Sequence, residues 1–190
     1  MSQLIVNPTK DCHIEKDAPT TPGNSNVVWY GVPAKSTDLY RGLLHFDISS
    51  IPNGSTILST SSLAVVIGTS VGSPPSTIKR ITQTAWTEGA TWNKYDGTTN
   101  WGVAGGDLST PDVPFTPTGT GAFSITGAAL AAFLQDALDN RSKSVNMAVK
   151  TDDEVSTGFQ EWDSSEGATP PVLTVDYTTP TGFHRMMFGG

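Results

Sequence analysis

Residues 40–55 read "YRGLLHFDISSIPNGS". Successive side chains of an extended chain point to opposite faces, so Tyr40, Leu44 and Phe46 share one side of a strand. Arg41, His45 and Asp47 lie toward the other side. The strand must stop at "SIPNGS", because Pro52 and Gly54 cannot continue a ladder. Asp47, just before that turn, is placed to accept its backbone N–H groups. An alternating run closed by a Pro/Gly turn is the unit of a β-protein, and it recurs in both directions from here.

Toward the N-terminus, "DCHIEK" (Asp11–Lys16) alternates with Cys12 and Ile14 on one side, and "NVVWYG" follows the turn-forming "TTPGNS". Toward the C-terminus, "SSLAVVIG" reads as a nearly continuous buried strand closed by "GTSVGSPPS", and "STIKRIT" alternates again. "SVNMAVKT" and "PVLTVDYT" read as two further strands, the first with Val145, Met147 and Val149 facing one way. One segment has the helical period instead. "TGAALAAFLQDALDN" sets Leu130, Phe133, Leu134, Ala137 and Leu138 at i, i+3, i+4, i+7 and i+8, which predicts an amphipathic helix over about 127–139. Thr126 is its expected N-cap and Asn140 its left-handed stop. From about Glu88 to Pro117 no period is visible, although three of the five tryptophans lie in or beside this stretch. Such a long irregular segment is either functional or packed by its own side chains. Trp86 and Trp92 flank a glycine, so a turn can fold both indoles onto the core.

A chain of 190 residues suits a single all-β domain. It can bury roughly 70% of its unfolded surface and needs neither disulfide nor metal for stability. The single cysteine, Cys12, allows no intramolecular disulfide and is expected as a small buried hydrophobe. A net charge of −7, with Lys79-Arg80 as the one basic pair, argues against nucleic acid as a partner. No segment approaches the roughly 20 apolar residues of a membrane span. The N-terminal "MSQLIVNPTKDC" lacks the pattern of a secretory signal, so the chain is expected to stay in the cytoplasm where it is made unless carried out on something else.

Motifs that could carry catalysis are weak. "GTSVG" matches G-x-S-x-G, but Pro74 and Pro75 forbid the helix a nucleophile elbow requires after Ser70. His13, His45 and His184 lie on separate elements without zinc spacing. The carboxylates of "TDDEVS" and "EWDSSE" fit solvated turns better than the paired acids of a glycosidase. An enzyme is therefore not expected. Exposed indoles and phenols can stack on pyranose rings; Trp29, Tyr30, Tyr95, Trp101 and Trp162 are candidates. Trp101, Tyr95 and Trp162 are the preferred glycan-binding set, led by Trp101 in its Gly- and Thr-rich loop.

Taken together, "KDCHIEK", "YRGLLHFDISSIPNGSTILSTSSLAVVI", "ITQTAWTEGATWN", "ITGAALAAFLQDAL" and "FQEWDSSEGATPPVLTVDY" resemble the DNRLRE / CBM96-like domain family. The resemblance runs over about 10–178. It implies a jelly-roll β-sandwich found in secreted bacterial proteins and in phage proteins, with carbohydrate-binding or adhesive rather than catalytic roles. Jelly-roll modules of this sort often hold a structural calcium between chain ends. Asp11, Glu15 and Asp176 could supply its oxygens if the first and last strands are neighbours.

The end of the sequence, "TTPTGFHRMMFGG", does not fit a closed sandwich. Pro180 and Gly182 end the last strand, and Phe183, Met186, Met187 and Phe188 follow it. Four such side chains left in water invite aggregation, whereas a partner could bury them. We therefore expect a jelly-roll domain over 1–178 and a docking tail over 179–190, with Phe183, His184, Arg185, Met186, Met187 and Phe188 at the contact. Two functions remain open. One is a non-enzymatic structural protein, a capsid decoration (cement) protein of a phage virion, homo-oligomeric and bound to other virion proteins such as the major capsid protein. The alternative is an extracellular carbohydrate-binding or adhesion module recognising a polysaccharide.

Overall fold

The computed structural model describes residues 1–23 and 26–180. Its strands are β1 (Ser2–Val6), β2 (Lys10–Glu15), β3 (Val27–Val32), β4 (Tyr40–Asp47), β5 (Thr56–Ile57) and β6 (Ser62–Val71). They continue with β7 (Ser76–Ile81), β8 (Leu108–Phe115) and β9 (Gly121–Thr126), the helix α1 (Ala128–Asn140), then β10 (Ser144–Thr151), β11 (Gly158–Asp163) and β12 (Val172–Thr178). All pairings are antiparallel, along the path β1-β12-β6-β11-β3-β4-β10-β7-β8, with β2 on β4, β5 on β12 and β9 on β6. β3 and β4 meet only at Gly31↔Tyr40, so the sheet curls there into two leaves. The result is the expected all-β sandwich of jelly-roll type.

Alternation fills the space between the leaves. Leu44 and Phe46 of β4 and Val145, Met147 and Val149 of β10 face inward from one leaf. Val28, Tyr30, Leu63, Val65, Ile67 and Trp162 meet them from the other. The helix packs its apolar stripe, Leu130, Phe133, Leu134, Ala137 and Leu138, into the same core. Asp47 Oδ1 accepts the Ser49 N–H at 2.7 Å, which opens the turn after β4 as expected.

Three local expectations change. Thr126 ends β9 rather than capping α1; the N-cap is Gly127, whose φ of 109° is open to glycine, and no side chain caps the helix. The left-handed stop is Ser142 and Lys143 (φ 52° and 63°), not Asn140, and Lys143 N–H returns to Ala137 O at 3.0 Å. The aperiodic stretch also hides a strand. β8 carries Pro111 and Pro114, which mask its pattern in the sequence and are tolerated because it ends the sheet path.

The remaining irregular chain, 82–107, covers the outer face of the β2-β4-β10-β7 leaf. Cys12, Ile14, Leu43, Ala148 and Ile81, which alternation turns away from the sandwich interior, pack with Trp86, Ala90, Trp92 and Trp101 in a second buried cluster. Four backbone bonds fold the loop on itself: Thr87 N–H to Tyr95 O (2.9 Å), Tyr95 N–H to Thr99 O (2.9 Å), Trp101 N–H to Asn93 O (3.0 Å) and Gly105 N–H to Trp92 O (2.7 Å). Arg41 clamps the loop to β4. It forks onto Glu154 through Nε (2.7 Å) and Nη2 (2.8 Å), donates Nη1–H to Gly105 O (2.6 Å), and lies over the Trp92 ring. Gly105 is needed for this approach, since a Cβ there would stand 2.7 Å from both Arg41 Nη1 and Trp92 Cζ2.

Candidate functional site

The aromatic candidates are largely consumed by packing. Trp162 is 0% exposed between the leaves, and Trp101 is 5% exposed with its indole N–H donated to Thr91 O at 2.9 Å. Neither presents a face to a sugar, which corrects the expectation that they are exposed. The reason is the second cluster: the Gly- and Thr-rich loop turns its indoles onto the sheet instead of into water. Tyr95 is half-buried, edge-on to Trp101 at 5.8 Å. Tyr30 is buried as well, and of the five tryptophans Trp29 alone keeps part of its ring at the surface. Trp29 stacks on His13 at 4.7 Å and donates its N–H to Glu161 Oε2 at 2.9 Å.

The three calcium candidates do not converge, because the strand beside β12 is β1, not β2. Asp11 and Glu15 lie on β2, which pairs with β4. Asp11 Oδ2 accepts Ser165 N–H (2.8 Å), Glu15 Oε1 accepts the Tyr40 hydroxyl (3.1 Å), and Asp176 Oδ1 accepts Gln3 Nε2–H (2.9 Å). Among the described residues no group of three His, Cys, Asp or Glu side chains is gathered as a metal site. Burial above all raises the Asp11 carboxyl to about 6, with Ser165 opposing the rise and Glu166 and Glu88 adding to it.

Ser70 sits on β6 and hydrogen-bonds Gly72 O at 2.9 Å, with no helix behind it. His13 is held in the Trp29–Tyr40 aromatic group, while His45 Nε2 lies 2.9 Å from Ser144 Oγ on another strand pair. Of the acidic turn after β10, Glu154 is spent on Arg41 and Asp152 accepts the Thr77 hydroxyl at 2.6 Å. Burial drives the Cys12 thiol far above its usual pKa, which leaves it a packing residue. His184 and the rest of the proposed contact, Phe183, Arg185, Met186, Met187 and Phe188, lie outside the described residues.

The structure does assemble one cleft that the periodicity does not point to. β7 pairs with β10 from Ser76↔Thr151 to Arg80↔Met147, after which Thr82 bonds to Asp107 O at 2.9 Å and the chain leaves β10. The start of β10 is thereby left facing the end of α1 across a cleft of ≈ 490 Å³. Phe133, Ala137 and Ile81 form its apolar wall, and Thr82, Thr84 and Ser144 bring hydroxyls. Asn146 lies at its base, with Oδ1 accepting Trp86 Nε1–H at 2.9 Å and Nδ2–H donating to Ser144 Oγ at 2.8 Å. Two guanidinium groups, Arg80 and Arg141, complete the lining. A sequence signal for it existed: in "STIKRIT", Arg80 falls two residues after Ile78, on the inward parity of its strand, where a charge is out of place.

No protein-family model matches this chain, and no curated protein matches it either.

Proposed function

We propose that this chain is a non-enzymatic structural protein, a capsid decoration (cement) protein of a phage virion, which attaches to a larger assembly through residues 183–188. One observation carries the reading: β12 has no free edge to extend. β1 pairs with it from Val6↔Leu173 to Ser2↔Tyr177 on one side. On the other, β6 takes Val172–Thr174, β5 takes Tyr177–Thr178, and Ser61 Oγ and Leu58 N–H occupy the Asp176 backbone between them. Both edges of β12 are thus occupied up to Thr178, and the sequence continues into Phe183, Met186, Met187 and Phe188. Side chains of that size gain free energy when a partner removes them from water, and methionine adapts to an uneven docking surface. The virion setting and the major capsid protein as partner rest on the family resemblance, whose members include phage proteins.

The test replaces all four of these apolar side chains by serine and compares the native mass of the two proteins, alone and with co-purifying partners. The reading expects association only in the parent chain, with the melting temperature of the two proteins within about 2 °C. If the variant associates like the parent, or melts far lower because the four side chains belong to its own core, the reading fails.

A further inference from the structure

The Arg80 guanidinium is buried without enough counter-charge. Its side chain is 7% exposed and its Nη2 is sealed from solvent. Its one polar partner among the described residues is the Asp136 carboxylate, and Phe133 lies under its Cζ at 5.7 Å. That carboxylate is shared. Arg141 Nε–H donates to Asp136 Oδ2 at 3.3 Å, and Asn140 Nδ2–H donates to Oδ1 at 3.1 Å. Two guanidinium charges therefore face one carboxylate, which leaves an excess of one positive charge on a wall of the cleft in a chain whose net charge is −7. The five donors of a guanidinium are fixed in a plane. On Arg80, Nε and Nη1 have no acceptor among the described residues and, unlike Nη2, are not sealed from solvent. Donors that still reach the cleft can be taken over by a ligand carrying a charged acceptor, and hydrogen bonds between two ionised groups are the strong ones.

We propose that the cleft between β7, β10 and the end of α1 binds a small organic acid, its carboxylate held by Arg80 with Arg141 at the mouth. A carboxylate matches the planar fork and balances the single excess charge, whereas a phosphate dianion over-compensates it. Phe133, Ala137 and Ile81 offer an apolar wall to the carbon skeleton, and Thr82, Thr84 and Ser144 offer hydroxyls to its polar substituents. The volume, ≈ 490 Å³, lies within the usual range of small-molecule sites. The carbonyl end of α1 opposes an anion with about half a charge, less than the excess on the guanidinium wall, and Arg141 and Lys143 N–H groups already occupy Ala137 O. The inference goes beyond the assembly reading and does not rest on it.

Benzoate is the probe, with benzamide as its neutral counterpart and inorganic phosphate as the alternative anion. Each is titrated into ¹⁵N-labelled full chain while the amides of 80–84 and 137–146 are followed. Benzoate is expected to shift these amides saturably with a Kd below about 10 mM, while benzamide and phosphate leave them almost unmoved. Arg141→Gln, at an exposed position, weakens benzoate binding about two- to fivefold. Asp136→Asn removes the competing carboxylate without changing its shape and strengthens binding at least about threefold. Both variants keep the parent's amide spectrum away from the cleft. The proposal is overturned if benzoate fails to saturate, if benzamide or phosphate binds as well, or if Asp136→Asn weakens binding.

Discussion

The two faces of the β2-β4-β10-β7 leaf are both dry, but they are kept dry by different means. The inner face meets the opposite leaf through residues that alternate along regular strands, such as Leu44, Phe46, Val145 and Met147. The outer face is closed by the loop 82–107, whose backbone has no repeating pattern and whose indoles supply the packing. On the inside, one hydrophobic period specifies the contact. On the outside, the contact depends on a few polar fasteners: the Arg41 fork, Asp107 accepting Gly102 and Val103 N–H (3.0 and 2.7 Å), and Asp96 holding the Thr98–Thr99 turn. A covered face of this sort is structural, and it removes the aromatic platform that an exposed loop of the same composition would offer to a sugar.

The sharpest way to break this comparison is to release the clamp. Arg41→Ala leaves Glu154 without its fork and Gly105 O without its donor, and is expected to cost about 3 kcal/mol or more. That is the range of a Leu→Ala change in the inner core, and roughly 6–12 °C in melting temperature. If the loop were a loose covering, thermal unfolding of the sheet, followed by far-ultraviolet circular dichroism, would hardly move.

Asp11 tests the place where the two regions meet, since its carboxylate receives Ser165 N–H and its own N–H reaches Glu88 Oε1 of the loop (3.3 Å). Its folded pKa of about 6 lies above the ordinary 3.8, so between these values the folded state holds more protons than the unfolded one. Stability from this group is present at pH below about 4 and declines as pH rises through about 6. Asp11→Asn keeps the acceptor for Ser165 and abolishes that decline, so the variant should melt above the parent at pH 7–8 and lose the advantage at pH 4. An advantage independent of pH would contradict the account. The smallest effect belongs to Asp96, which is exposed and whose hydrogen bonds to Thr99 and Thr98 hold its pKa down to about 2. Asp96→Ala should lower the melting temperature by roughly 1–3 °C, visible in the Trp fluorescence melt. No change would show that the turn is held by the indoles alone.

These differences also explain what the sequence discloses. Alternation in "YRGLLHFD" and "SVNMAVKT", and the 3.6 period in "ALAAFLQDAL", follow from local geometry, so the inner core and helix are legible residue by residue. β8 is not, because Pro111 and Pro114 erase the pattern while a sheet-edge position tolerates them. Trp101 could not be placed either: it is buried in a cluster with Cys12, Leu43, Ile81 and Ala148, which are far apart in the chain and meet only after the leaf has formed. The cleft shares this property. Arg80, Asp136 and Arg141 come from a strand and a helix end, and only the oddity of an inward arginine hinted at it.

The central claim is that the loop is a fixed cover over its tryptophans and not a lid above a hidden aromatic surface. Native-state hydrogen exchange at Thr87, Tyr95, Trp101 and Gly105, compared with the amides of β4 and β10, tests it most directly. The account predicts that these loop amides exchange only with global unfolding, at the same free energy as the strands. Exchange through a local opening about 3 kcal/mol or more below the global value would instead make the loop a movable lid over its tryptophans, and would contradict it.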